Sequence, residues 1–327
     1  MSVLILNKDE VEGILSMKAC IDVMASAFKS LEKGESLQPL RSLMRLPTQK
    51  GLLGMMPGYT GENNIFGIKA ISVFPENYKE GISSHQGVIL LFEGNTGQLS
   101  AILDAEVITA VRTAAVSALA ANLLARQDAS VLAILGAGVQ GHQHLKSISL
   151  VRELSKVFVW DIADESIKAY VDSESKRIEA ELIGAGTAQE AVADADIICT
   201  VTPAKEPILM QDWVKPGTHI NAVGGCTPNA QELESALVAQ SRLFTDCRES
   251  LFNEPGDFLN PKREGLITED HVMGDLGELL TGKVEGRESD TDITLFKSLG
   301  LAIEDIAAGY FVYEKAIETN TGTIVDL

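Results

Sequence analysis

Gly136, Gly138 and Gly141 follow the apolar run VLAIL (131–135) with the spacing G-x-G-x-x-G and open the helical stretch GHQHLKSISL. A strand that turns through glycine into a helix presents free backbone N–H groups, and these bind phosphate. The first glycine permits the tight turn, the second admits a pyrophosphate close to the backbone, and the third lets the helix pack against the strand. Alone, such a motif is weak and also fits a βα turn that binds nothing. The next strand, KVFVW, ends at Trp160-Asp161, 25 positions after Gly136, where a carboxylate meets the hydroxyls of an adenosine ribose. Together the two features predict a dinucleotide site. Asp161 repels a 2′-phosphate and the following Ile-Ala-Asp-Glu-Ser supplies no Arg, so NAD is favoured over NADP.

The elements around this turn predict an α/β fold. After Asp128, short apolar runs (VLAIL, KVFVW, ADIICTV, THINAVGG) alternate with helical segments, the signature of a doubly wound, Rossmann-type parallel sheet. The front of the chain reads differently. DVMASAFKSL (22–31) has helical spacing, IFGIKAISVFP (65–75) reads as a strand, and GVILLFEGNTGQLSAIL (87–103) reads as a hairpin turning at Gly94–Gly97. This predicts an α+β domain over 1–115 and a Rossmann domain over 116–303. The alanine-rich EVITAVRTAAVSALAANLLA joins them as a helix, and 304–327 returns to the first domain.

Composition narrows the partners. With 27 basic against 46 acidic side chains, the net charge of −19 repels nucleic acid and anionic membrane surfaces. No run is read as a membrane span of roughly 20 residues and no basic-then-apolar leader is seen, so a soluble, cytoplasmic protein acting on small molecules is expected. Cys20, Cys199, Cys226 and Cys247 form no C-x-x-C pair and read as reduced thiols. Two tempting arrangements are set aside. His142 and His144, at i and i+2 on a helix, point to different faces with no acidic or Cys partner nearby in sequence, so no metal is expected. Ser83-Ser84-His85 suggests part of a hydrolase, but sequence neighbours rarely form a catalytic Ser-His pair.

Several separated motifs carry a family likeness: Lys69 in GIKAIS, SSHQGVILLF (83–92), NTGQLSAILDAEVITAVRTAAVSALAA (95–121), GAGVQG, INAVGGCTPNAQEL (220–233) and DLGELLTGK (275–283). Through them the chain resembles the ornithine cyclodeaminase and mu-crystallin family along nearly its whole length. The resemblance implies a substrate-binding and dimerisation domain followed by an NAD-binding Rossmann domain, and a homodimer. It maps substrate contacts onto Arg45, Lys69, Ser84 and Arg112. It implies cofactor contacts at Gly136, Gly138, Val139, Gln140, Gly141, Asp161, Thr202, Pro203, Val223 and Ser298. A guanidinium suits the carboxylate of an amino or imino acid, with Arg112 the foremost candidate. Lys69, between apolar strand neighbours, is a candidate for a lowered pKa and a proton-relay role.

The chain departs from the family at one position. Cyclodeaminases and archaeal alanine dehydrogenases of the family carry Asp where this chain has Cys226, and the Gly-Lys after the proline is Asn229-Ala230. Cyclodeamination needs a carboxylate to handle protons, whereas a thiol of pKa ~8.5 is mostly neutral at pH 7. Reducing a protonated cyclic ketimine makes a smaller demand, and the family's ketimine reductases also lack the Asp. The expected activity is therefore reduction of a substrate such as 1-pyrroline-2-carboxylate or 1-piperideine-2-carboxylate. Ornithine cyclodeaminase, an alanine or N-alkyl amino acid dehydrogenase, and a non-catalytic nucleotide-dependent binding protein are the alternatives. Cys226 stands at the deciding position, as a reacting group or as a small buried hydrophobe.

Overall fold

Asn7 and Ser16 start the first two helices by accepting hydrogen bonds from backbone N–H groups three residues on, and Glu10 reaches back to Asn7 N to complete a capping box. The computed structural model describes residues 2–48 and 50–326, with Tyr78 described by its backbone alone. In chain order, β1 (Ser2–Leu6) leads into α1 (Lys8–Ile14) and α2 (Met17–Glu32). The strands β2 (Ser42–Arg45), β3 (Leu52–Thr60), β4 (Ile65–Val73), β5 (His85–Glu93) and β6 (Leu99–Asp104) form an antiparallel meander. The helix α3 (Ala105–Leu124) follows directly.

Next come β7 (Val131–Leu135), α4 (Val139–Ile148), β8 (Lys156–Trp160), α5 (Asp164–Glu174), β9 (Glu181–Gly184), α6 (Ala188–Val192) and β10 (Ile197–Thr200). They are followed by β11 (His219–Ala222), α7 (Ser235–Gln240), β12 (Arg242–Thr245), α8 (Arg248–Asn253), α9 (Gly256–Arg263), β13 (Val272–Asp275), α10 (Leu276–Thr281) and β14 (Thr294–Lys297). The chain ends with α11 (Ala302–Thr319) and β15 (Thr323–Asp326). It divides into two compact units, Met1–Arg112 with Gly300–Leu327, and Thr113–Leu299.

The first unit holds a seven-stranded sheet in the order β15-β1-β6-β5-β4-β3-β2. The predicted hairpin is β5–β6, and the predicted terminal helix is α11, which packs on β3, β4, β5 and α2. Small residues set how closely it packs: a Cβ on Gly58 would stand 3.1 Å from Ile306 Cδ1 and 3.2 Å from Ala302 Cβ. Lys69, two positions beyond Gly67 on β4, therefore shares the covered face, because strand side chains alternate.

The second unit holds an eight-stranded sheet, order β13-β12-β14-β11-β10-β7-β8-β9, parallel throughout. Its central strands are buried on both faces, with Ala133, Leu135, Ile198, Ile220, Leu243 and Leu295 in one buried cluster and Leu132, Ile134, Ile197 and Phe296 buried on the opposite face. From β7 the chain proceeds outward through β8 and β9, then returns to place β10 on the other side of β7. That reversal creates a crevice at the carboxyl ends of β7 and β10, where such sheets bind ligands.

One reading is corrected. Ala105–Leu124 is long and apolar enough to cross a membrane by length and composition, although 83% of its apolar window is buried. Alanine side chains give this helix almost no amphipathic contrast, the pattern of a helix enclosed on all sides.

Candidate functional site

In the second unit, the glycine turn lies at the β7/β10 crevice. Gly136 has φ +118, a conformation that disfavours any side chain, and its N–H donates to Trp160 O at 2.8 Å. A Cβ on Gly141 would lie 2.2 Å from Gly136 O, so the third glycine sets how closely α4 approaches the turn. Gly138 is the residue before α4, with φ −84 and open space where a Cβ would point. Val139 and Gln140 form the first turn of this ten-residue helix. Asp161 accepts from Ala137 N at 2.9 Å and Ala163 N at 3.0 Å, which fixes its carboxylate beside the turn. Gly136, Gly138, Trp160, Asp161, Val201, Thr202 and Pro203 line a cleft of about 430 Å³. Free N–H groups at a helix start, an open approach over Gly138 and an anchored carboxylate fit a dinucleotide diphosphate and ribose.

Val223, Cys226 and Ser298 gather at the carboxyl ends of β11 and β14. Cys226 Sγ donates to Val223 O at 3.2 Å and lies 3.8 Å from Ser298 O. The thiol is half-buried and faces carbonyl oxygens. All four cysteines are free thiols.

In the first unit, Lys69 and Arg112 are brought together by two acids on α11 that the sequence reading missed. Asp305 lies 2.6 Å from Lys69 Nζ and 2.9 Å from Arg112 Nε, and Glu304 lies 2.7 Å from Arg112 Nη1. All four side chains are buried. Gly300, with φ +73, makes room: a Cβ there would stand 2.3 Å from Arg112 Nη1, while its carbonyl accepts from Arg41 Nη2 at 2.9 Å. Burial, reinforced by Arg112 and Arg41 and opposed by Asp305, lowers the Lys69 pKa to about 8. For Arg112 burial acts in the same sense, but Asp305 and Glu304 override it and hold the guanidinium charged. Lys69 and Arg112 face Glu304 and Asp305, and Arg41, held on Gly300 O close enough to act on Lys69, brings the group to one positive charge in excess with Lys69 protonated. A single anionic ligand group balances it. The detectable signal was an adjacent Glu-Asp pair in the apolar run LAIEDIAAG.

Two predicted contacts lie outside this cluster. Arg45 ends the edge strand β2 with an exposed side chain. Ser84 precedes β5, and its Oγ lies 2.9 Å from His85 Nδ1, so this adjacent pair does form a hydrogen bond. His85 is held below its usual pKa by burial and then by Lys69. Of the two histidines set aside as a metal pair, His142 needs a correction. His142 does have an acidic partner, Glu174 at 2.8 Å, which sequence distance concealed because α5 packs beside α4. His144 bonds Gln140 O and Ser117 Oγ, both at 2.8 Å, and burial lowers its pKa to about 4.

The model of the ornithine cyclodeaminase/mu-crystallin family matches residues 1–320. Ketimine reductase mu-crystallin of Rattus norvegicus is 36% identical over 313 residues, covering 94% of this chain and 96% of that protein. Among solved structures, Thermococcus litoralis Δ1-pyrroline-2-carboxylate reductase in complex with NADH and L-proline has a TM-score of 0.96 at 38% identity, covering 98% of this chain and 99% of that one. An archaeal alanine dehydrogenase, described as a dimer with bound NAD, has a TM-score of 0.95 at 31% identity, with both chains fully covered.

Proposed function

The chain belongs to the ornithine cyclodeaminase/mu-crystallin family, and from that premise we propose that it reduces a cyclic ketimine, such as 1-pyrroline-2-carboxylate or 1-piperideine-2-carboxylate, to the cyclic imino acid. The observation that carries this reading over cyclodeamination is Cys226. At the end of β11, where cyclodeamination calls for a proton-handling carboxylate, a thiol donates to a carbonyl.

Reduction of C=N adds a hydride to carbon and a proton to nitrogen. NAD(H), held by Gly136, Gly138, Val139, Gln140 and Gly141 with Thr202 and Pro203, supplies the hydride when bound. The excess positive charge around Arg112 and Arg41 attracts the substrate carboxylate. Lys69 relays the proton to the ring nitrogen, and burial makes its ammonium a better acid than a solvated lysine. Asp161 supports a preference for NADH over NADPH, since it meets a ribose diol favourably and a 2′-phosphate unfavourably.

We also propose a homodimer joined through the first unit. Its sheet exposes Met44, Phe66 and Val88 on the face turned away from α11, apolar side chains that a second copy would cover, and the alanine dehydrogenase above is described as a dimer. Four free thiols support a cytoplasmic site of action. The test is NADH oxidation with each ketimine, beside ammonia release from ornithine. Turnover of a ketimine supports the proposal. Ammonia from ornithine without net NAD turnover would identify a cyclodeaminase, and tight NADH binding with no turnover a binding protein.

A further inference from the structure

Three charged side chains lie buried beneath the carboxyl ends of β10, β11 and β14, and the proposed reaction does not use them. Lys297, the last residue of β14, pairs with Asp257 at 2.9 Å and also donates to Gly224 O. The other Asp257 oxygen accepts from the backbone N–H groups of Glu232 and Leu233 at 2.8 and 3.0 Å. Lys297 and Asp257 thus balance one another. Glu232, with 0% exposure, is a second carboxylate set against the same lysine.

The contacts of Glu232 lead to the dinucleotide cleft. Its Oε1 accepts from Thr202 N and Thr202 Oγ1, both at 2.7 Å, and its Oε2 accepts from Thr200 Oγ1 at 2.8 Å. Thr202, between Val201 and Pro203, is part of the cleft wall. The loop after β11 closes on the same group, since a Cβ on Gly224 would stand 2.1 Å from Thr202 O and 2.5 Å from Glu232 Cδ. If only shape were needed, an apolar residue would fill this space without the cost of burying a charge. A carboxylate instead offers acceptor oxygens to all three donors at once.

We propose that Glu232 is a positioning residue for the dinucleotide, acting through Thr202, and that its ionisation sets how firmly the cleft wall is held for NADH. This rests on the reading of the cleft as the NAD(H) site. Ionised, Glu232 makes charge-assisted hydrogen bonds to Thr202, which are stronger than neutral ones. Protonated, it carries a hydrogen on one oxygen, and a wall donor must turn or lose its acceptor. The charged groups facing it are Lys297 from β14 and Asp257 from α9, with the Cys226 thiol near Lys297. Burial raises the Glu232 pKa to about 7, with Lys297 and the Thr202 bonds opposing and Asp257 adding to the rise. The wall therefore tightens as pH rises through neutrality.

NADH titration by fluorescence from about pH 6 to 8.5 tests this, with thermal unfolding followed in parallel. In wild type the Kd for NADH should fall roughly three- to tenfold through a bend near pH 7. Glu232→Gln keeps the shape and removes the charge, so its Kd should be flat at the wild-type acidic value. Thr202→Val keeps the N–H and loses the hydroxyl, so it should bind with a smaller bend; this variant serves if Glu232→Gln does not fold. A flat wild-type profile, a bend kept in Glu232→Gln, a bend undiminished in Thr202→Val, or weaker binding above pH 7 would each overturn the inference. Wild type that binds no NADH at any pH would instead overturn the cofactor reading, and this inference with it.

Discussion

Replacing Gly141 with Ala separates the packing role of the glycine turn from its binding role. An Ala inside a helix is favoured over Gly by about 0.5–1 kcal/mol, so propensity alone predicts a more stable protein. The geometry opposes this. The new Cβ would lie 2.2 Å from Gly136 O, against an ordinary C···O approach of about 3.3 Å, so α4 must withdraw by about 1 Å. Overpacking of this kind costs about 1–3 kcal/mol, and the net effect should be a loss of up to about 2 kcal/mol. The same withdrawal takes the first N–H groups of α4 out of hydrogen-bond range of a bound phosphate. Losing one or two such bonds, at about 1.5 kcal/mol or more each, raises the NADH Kd roughly 10- to 100-fold. Gly138→Ala is the companion, since its φ of −84 and the open space around it leave the fold unstrained. It should cost at most about 1 kcal/mol as a poorer cap yet still weaken NADH, because its methyl group meets the ligand. Thermal unfolding and NADH titration of both variants supply the readings. A folded Gly141→Ala that binds NADH within threefold of wild type would refute the placement of the pyrophosphate at this helix start.

Further outcomes follow from the same geometry. Asp161→Ser with Ile162→Arg removes the carboxylate anchored by Ala137 and Ala163 and adds a phosphate partner at an exposed position; the NADPH/NADH ratio of kcat/KM should rise at least tenfold, and an unchanged ratio would contradict the ribose assignment. Cys226→Asp sets a carboxylate against the carbonyls of Val223 and Ser298; ketimine reduction should fall tenfold or more, while ammonia release from ornithine, measured alongside, should increase from the wild-type level. Because the Lys69 pKa is lowered to about 8, its ammonium is lost as pH rises past that value; kcat/KM for the ketimine should fall tenfold per unit on the alkaline side, and a profile flat to pH 10 would remove Lys69 as the proton source.

The sequence exposes what is local and periodic. The glycine spacing, the Asp161 strand end, the β5–β6 hairpin and the alanine-rich α3 each lie within a window of about 25 residues, so pattern and propensity suffice to place them. The edge strand β15 and its neighbour β1 were not anticipated, because a short strand is defined by a distant partner. Ser2 pairs with Asp326, for example. The same physics hid half of the cationic cluster. Acidic residues on a helix usually face solvent, and only α11 settling on β3 and β4 shows that Glu304 and Asp305 face inward. Glu232 was legible only as part of a family motif, since nothing in its neighbours announces that Thr202 lies against it.

The break in the first unit also dictates an order of events on the ribosome. Residues 113–299 form one unbroken stretch, so their sheet has all its strands before the last residues are made. The first unit has no such independence. Arg112 is synthesised 193 residues ahead of Asp305, and at ordinary elongation rates the nascent chain carries its buried cations without their counterions for roughly 10–40 s. Until α11 arrives, the meander shows an uncovered apolar face bearing Lys69, and Arg112 on α3 also lacks its counterions, a state in which burial of either charge is opposed. Those two charges oppose premature collapse of the early sheet, and the first unit can close only once α11 has been made.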